Sequence, residues 1–431
     1  ARLPRWLAPV LARSLAAEPA ARHPSVAALA GAIRRRAPWS KSRLPVVIAT
    51  GVTLALAGSL VVVLGRRDRC DELAGAQLAW GREAVERAFV TADPARGAAT
   101  FAQVAGAIGR FERDLGVARV AACRAPEPKH RELRAACLDD KASFVTAITT
   151  ELRVADARVV ARAPEVVARL PDLSTCAMVE ALARRSGRIG RASREDAAAV
   201  DAELRKTLAQ AGLYPMEQTV PRLEQVERRA AAIGYPRGEA MAIVQRTSEL
   251  SPRSQIERTR RDLARAAALA IDAADDELLA DVFLTLLDGE AYVPGHPFAG
   301  TASEVAGAYI RRLGDDDREG RRQYLLAAAA YFDDLDLAVR HGEAARALWL
   351  RGHGPDHISV AAADTILGNA AFHATDWERA LVHHERALAI RERALGSGAR
   401  LTDMSRHNHA ETLVELGRER EKVKEARRKE E

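Results

Sequence analysis

The chain has 431 residues, enough for about two or three domains. Aromatic residues make up only 4%, Ala, Leu and Arg abound, and Val and Ile rarely alternate with polar residues, which excludes a sheet protein and points to a helical array. The 65 Lys and Arg and 59 Asp and Glu are interspersed along amphipathic segments, so the net charge of +6 describes solvated helix faces and not a nucleic-acid surface.

Residues 1–36 form a short head. Trp6 to Leu15 reads as a short amphipathic helix, broken by Glu18-Pro19 and His23-Pro24. Ser25 can cap a second helix, Val26 to Ile33, with Val26, Leu29, Ala30 and Ile33 on one face. Two such helices cannot bury their apolar faces alone. The chain begins with Ala1, not Met, and is expected to be a fragment whose N-terminal part is missing.

A basic linker, residues 37–43, leads into an uncharged run from Leu44 to Leu64. About 20 apolar residues in a helix span the hydrocarbon core, so residues 44–65 are expected to form one transmembrane helix. A core helix of this length would carry a polar stripe, and only Thr50, Thr53 and Ser59 interrupt this one. A secretory signal would lie at the N-terminus with a shorter apolar region. Arg34, Arg35, Arg36, Lys41 and Arg43 precede the run; Arg66, Arg67 and Arg69, with Asp68, follow it. Basic flanks favour the cytoplasm, which places the head inside and the body outside.

The body opens with a Cys-containing helical region, residues 70–195. Its expected helices are Asp71 to Ala92, Ala95 to Cys123, Glu127 to Arg153 and Ala155 to Ala163, punctuated by Pro94, Pro126, Pro164 and Pro171. Cys70, Cys123, Cys137 and Cys176 form no CxxC, and no His stands near them at zinc spacing. Outside the cytoplasm disulfides persist, so two bridges are expected, with three connectivities open. Buried free thiols are the competing reading. Leu170 to Cys176 reads as a turn, so a bridge there would tie a loop to a helix.

From residue 196 to 417 the pattern becomes paired helices with short turns. Small residues such as Ala230, Ala231 and Ala232 leave room for close helix contact. The clearest internal repeat has an offset of 42 residues: Asp334 aligns with Asp376, Ala338 with Ala380, Glu343 with Glu385, Ala345 with Ala387, Arg351 with Arg393 and Gly354 with Gly396. The second copy, "LGNAAFHATDWERALVHHERALAIRERALG", resembles a tetratricopeptide repeat, in the extended form found in kinesin light chains. The resemblance implies that Gly368 lets two helices approach, that Ala380 and Ala387 form the seam, and that Trp377 precedes the second helix. A third copy starts at His407-Asn408-His409 and passes into residues 418–431, a charged tail expected to be frayed or disordered. The fold class is therefore all-α: one transmembrane helix, an α-helical region and a tetratricopeptide-like solenoid.

The head carries a second resemblance. "VLARSLAAEPAARHPSVAALAGAI" is similar to the last two helices of a eukaryotic-type serine/threonine protein kinase domain. The resemblance gives Arg22 a structural role, a buried ion pair with the Glu of an Ala-Pro-Glu motif that this chain does not contain. The Gly-rich loop, strand-three Lys, His-Arg-Asp and Asp-Phe-Gly motifs are missing too, and phosphoryl transfer needs them. With "CDELAGAQLAW", "RAACLDDK", "LPDLSTC" and "ERALAIRERALG", nearly the whole chain resembles the C-terminal part of bacterial transmembrane serine/threonine kinases that end in tetratricopeptide arrays.

That resemblance implies a bacterial inner-membrane protein with a cytoplasmic head and a periplasmic body. The array would bind a protein or peptide in its groove, and the chain could dimerise. ATP and Mg would belong to the missing lobe; no cofactor is expected here. The alternative is a non-enzymatic membrane-anchored scaffold. His383-His384, His407 with His409, Asp275-Asp276-Glu277 and Asp315-Asp316-Asp317 are discounted as metal sites. The first pair diverges on a helix, the second lies on nearly opposite faces, the third reads as a turn or cap, and the last reads as a loop.

Overall fold

The computed structural model describes residues 7–16, 18–36, 70–75, 78–250, 256–291 and 299–430. These residues are all-α, with no strand among them. The chain divides into two compact units, residues 1–69 and 70–431. The linker and the apolar run, residues 37–65, lie outside the described residues. Among the described residues no helix is long and apolar enough to cross a membrane.

The first unit holds α1 (Ala8–Ser14) and α2 (Val26–Arg36). Ser25 caps α2 by accepting the Ala28 N–H at 3.1 Å. Val26 does not join the apolar face expected of it: it is 83% exposed. Val26 is the first residue of α2, where the Cβ tilts toward the helix N-terminus and has no preceding turn to pack on.

The second unit begins with α3 (Arg82–Ala92), α4 (Gly97–Cys123), α5 (Pro128–Leu152), α6 (Ala157–Val167) and α7 (Val179–Arg185). The stretch from Asp71 to Ala92 is not one helix. It breaks at a 3-10 turn, Leu73–Gly75, and at Gly81, whose φ is +66°. The break lets Trp80 bury against Phe101 while the Leu78 N–H donates to Glu112 Oε1 at 2.9 Å. Pro164 does not end its helix but sits inside α6, which closes one turn later. Phe89, Ile108, Ile148 and Leu152 lie at the centre of this part and are fully buried. Each stabilises the fold by about 1.5–3 kcal/mol on leaving water.

The array follows: α8 (Arg194–Gln210), α9 (Met216–Ile233), α10 (Pro236–Glu249), α11 (Ile256–Asp272), α12 (Asp276–Glu290), α13 (Ala299–Leu313), α14 (Asp316–Ala330), α15 (Leu335–His353), α16 (Ile358–His373), α17 (Trp377–Leu395) and α18 (Arg400–Glu430). Each helix packs on the next, and α8, α10, α12, α14, α16 and α18 also touch one another in succession. These even-numbered helices form one row of the stack, and from α10 to α16 they expose fewer side chains than their odd-numbered partners, so this row is the inner one. Of Ala230, Ala231 and Ala232 on α9, only Ala230 is buried, against α8 and α10. Residues 418–430 are helical and belong to α18. Their Glu, Lys and Arg are good helix formers, and Arg418 pairs with Glu415 one turn back.

The repeat is visible in the caps. Helices α15 and α17 each have 19 residues, an Asp N-cap and a Gly C-cap in the same register. Gly354 and Gly396 take φ of 82° and 86°, values that L side chains rarely adopt.

Candidate functional site

The seam between α16 and α17 is where the sequence places its repeat residues. Gly368, Ala380 and Ala387 are all buried there. A Cβ on Gly368 would stand 2.3 Å from the His384 ring, so only glycine allows this approach. His384 itself is 2% exposed and pairs through Nδ1 with Thr412 Oγ1 at 2.8 Å and through Nε2 with Asn369 Oδ1 at 3.1 Å. Burial, with the charges of His383 and His409, lowers its pKa to about 4, so it is a neutral packing residue. Trp377 does not precede the second helix but is its first residue.

His383 turns the other way. Its Nδ1 lies 2.9 Å from Oδ1 of the fully buried Asp364, which Arg346 also meets at 3.1 Å. The adjacent histidines therefore do not converge. His407 and His409 face Glu411 and Glu385, at 3.9 and 3.7 Å. Among the described residues no group of His, Cys, Asp or Glu is placed to hold a metal ion.

The two carboxylate clusters are helix starts. Asp275 and Asp315 are N-caps that accept the N–H of Leu278 and Arg318. Asp316 and Asp317, expected in a loop, begin α14. These caps lie on the edge of the array that carries the turns leading into each inner helix, and α4 to α7 lie along that edge. Arg191 donates its N–H to Gly234 O in the α9–α10 turn. Arg184 reaches Asp276, and Arg185 reaches Glu277, both at 2.7 Å. Further along, Arg110 and Asp172 act on the stacked pair His353 and His357, Gln103 lies beside Gly396, and Glu165 accepts the Leu401 N–H at 3.1 Å.

The electrostatics of this edge are strong. Arg237 pairs with the buried Asp275 at 2.9 Å; burial alone would lower its pKa, but Asp275 and Asp201 hold it well above the usual range. A hydrogen bond to Asp317 at 2.7 Å raises the pKa of His353 against its burial. Burial and the neighbouring His353 lower His357 to about 4. Nothing local in the sequence marks these partners: Arg184, Arg185 and Arg237 stand among many other arginines.

The cysteines form Cys70–Cys123 and Cys137–Cys176, with Cα–Cα distances of 5.7 and 5.5 Å. The first staples the start of the second unit to the end of α4; the second ties α5 to the 3-10 turn Ser174–Ala177. Arg22 is exposed and donates to Ala16 O at 2.8 Å, closing the turn after α1. Among the described residues it pairs with no carboxylate, and the Glu implied as its partner is not in the chain.

The inner row offers little open surface. Across α10, α12, α14 and α16 the exposed side chains are Ser248, Asp316 and His373. No protein-family model, curated protein or solved structure matches the chain.

Proposed function

We propose that this chain is the C-terminal part of a membrane-anchored bacterial serine/threonine kinase, and that its array is a protein-binding, sensing module on the outer side of the membrane. The observation that carries the array's role is the repeat of α15 in α17, with the same length and caps, in a stack whose alternate helices form one inner row. Stacks of this kind are built as extended binding surfaces of the tetratricopeptide type. Two bridges support an oxidising compartment for the second unit. The uncharged run and its basic flanks support the anchor and its orientation. The kinase reading rests on the resemblance of residues 1–36. Partner binding outside would bring cytoplasmic catalytic domains together for phosphorylation in trans.

The coding sequence upstream of Ala1 tests the kinase part. An in-frame Gly-rich loop, Lys, His-Arg-Asp and Asp-Phe-Gly are expected. A start codon directly before Ala1 would leave a membrane-anchored scaffold without phosphotransfer.

A further inference from the structure

One edge of the array is covered by α4 to α7. The opposite edge carries the turns from inner to outer helices, and at residues 331–334 and 374–376 it is exposed or half-buried. Five rings form a continuous chain across these two turns. Phe332 meets Tyr331 at 5.0 Å between centroids, Tyr331 meets His373 at 5.0 Å, His373 meets Phe372 at 6.0 Å, and Phe372 meets Trp377 at 4.8 Å. Phe332 is 58% exposed, unusual for so large a ring in a chain with only 4% aromatics.

The formal charges within the two turns have one sign. Asp333, Asp334 and Asp336 follow Phe332, while Asp376 and Glu378 flank Trp377, and neither 331–336 nor 372–378 contains Lys or Arg. Glu411 adds its field at Tyr331. Arg379, the nearest cation in sequence, is drawn to Glu343 at 3.3 Å. This acidic edge stands out in a protein whose net charge is +6.

We infer that this edge is a docking surface for a cationic peptide segment, whose Lys or Arg side chains lie over the exposed rings and face the carboxylates. Aromatic faces attract ammonium and guanidinium groups, and the acidic rim raises their local concentration. The inference rests on the reading of the array as a protein-binding module and moves the contact from the inner groove to the open edge.

The test uses the full chain in a nonionic detergent, with fluorescein-labelled octa-lysine as probe and anisotropy as readout. Phe332→Ser, at an exposed position, should weaken binding about threefold. Asp333→Asn combined with Asp336→Asn should weaken it about tenfold at low salt. Asp139→Asn, at a remote exposed carboxylate, should leave it unchanged. Octa-glutamate should not bind. Equal affinity in the wild type and the edge variants, or equal loss with Asp139→Asn, would overturn the edge assignment, as would equal binding of an uncharged Ser-Ala octamer. Those results would leave the sensing role of the array to its own test.

Discussion

Asp334 and Asp376 stand in the same place in successive outer helices, and each carboxylate accepts the backbone N–H of the residue three positions on, Leu337 at 2.9 Å and Arg379 at 3.1 Å. Each N–H would otherwise lack a partner in the helix. Asp376→Ala should therefore cost about 1 kcal/mol. Urea unfolding checks it, and Asp376→Ser should recover most of the loss.

The Gly368 contact leads to a larger effect. Its neighbour, the His384 ring, is held on both sides by Thr412 and Asn369 and cannot easily move. Gly368→Ala should destabilise by about 1–3 kcal/mol through overpacking. Adding His384→Ala to that variant should return part of the loss, which thermal unfolding of the single and double variants would read.

Removing Arg237 should be costly in a different way. Arg237→Met leaves the 2%-exposed Asp275 with a weaker partner, Arg185 at 3.8 Å. Breaking a buried pair from one side costs about 3–5 kcal/mol. The variant should unfold at clearly lower urea, with a smaller loss when Asp275→Asn is added.

His384 also gives a pH dependence with a definite sign. Its pKa is about 4 in the fold against 6.5 for a free histidine. Between those values the unfolded chain binds a proton that the folded chain does not, so stability rises with pH there. The contribution is complete above pH 6.5, falls by about 1.4 kcal/mol per unit as the pH drops, and is gone below 4. His384→Asn should flatten this slope in urea titrations at pH 7, 5.5 and 4.5, with the difference from wild type read at each.

Both bridges close long loops, with sequence separations of 53 and 39 residues. In the chain-entropy account each contributes about 4 kcal/mol. Reduction should lower the unfolding midpoint, and Cys70→Ser with Cys123→Ser should reproduce the part due to the first bridge.

The all-α class and much of the array were legible because apolar spacing, Asp caps and Gly ends recur locally. Ser25, Asp275 and the 42-residue offset between Asp334 and Asp376 were all readable for that reason. Two other features depend on distant packing. The break between Asp71 and Ala92 follows from Trp80 burying against Phe101, and helicity through Pro164 from the packing of α6. Composition offered three cysteine connectivities but no means of choosing among them. The covered edge was invisible because Arg185 and Glu277 meet across 92 residues.

The measurement that tests the account most directly is protease treatment of intact spheroplasts carrying the chain, with the peptides read by mass spectrometry without reduction. The account predicts that residues 70–431 are cleaved from outside, with Cys70 joined to Cys123 and Cys137 to Cys176. A body that is cut only after lysis, with free thiols, would contradict it.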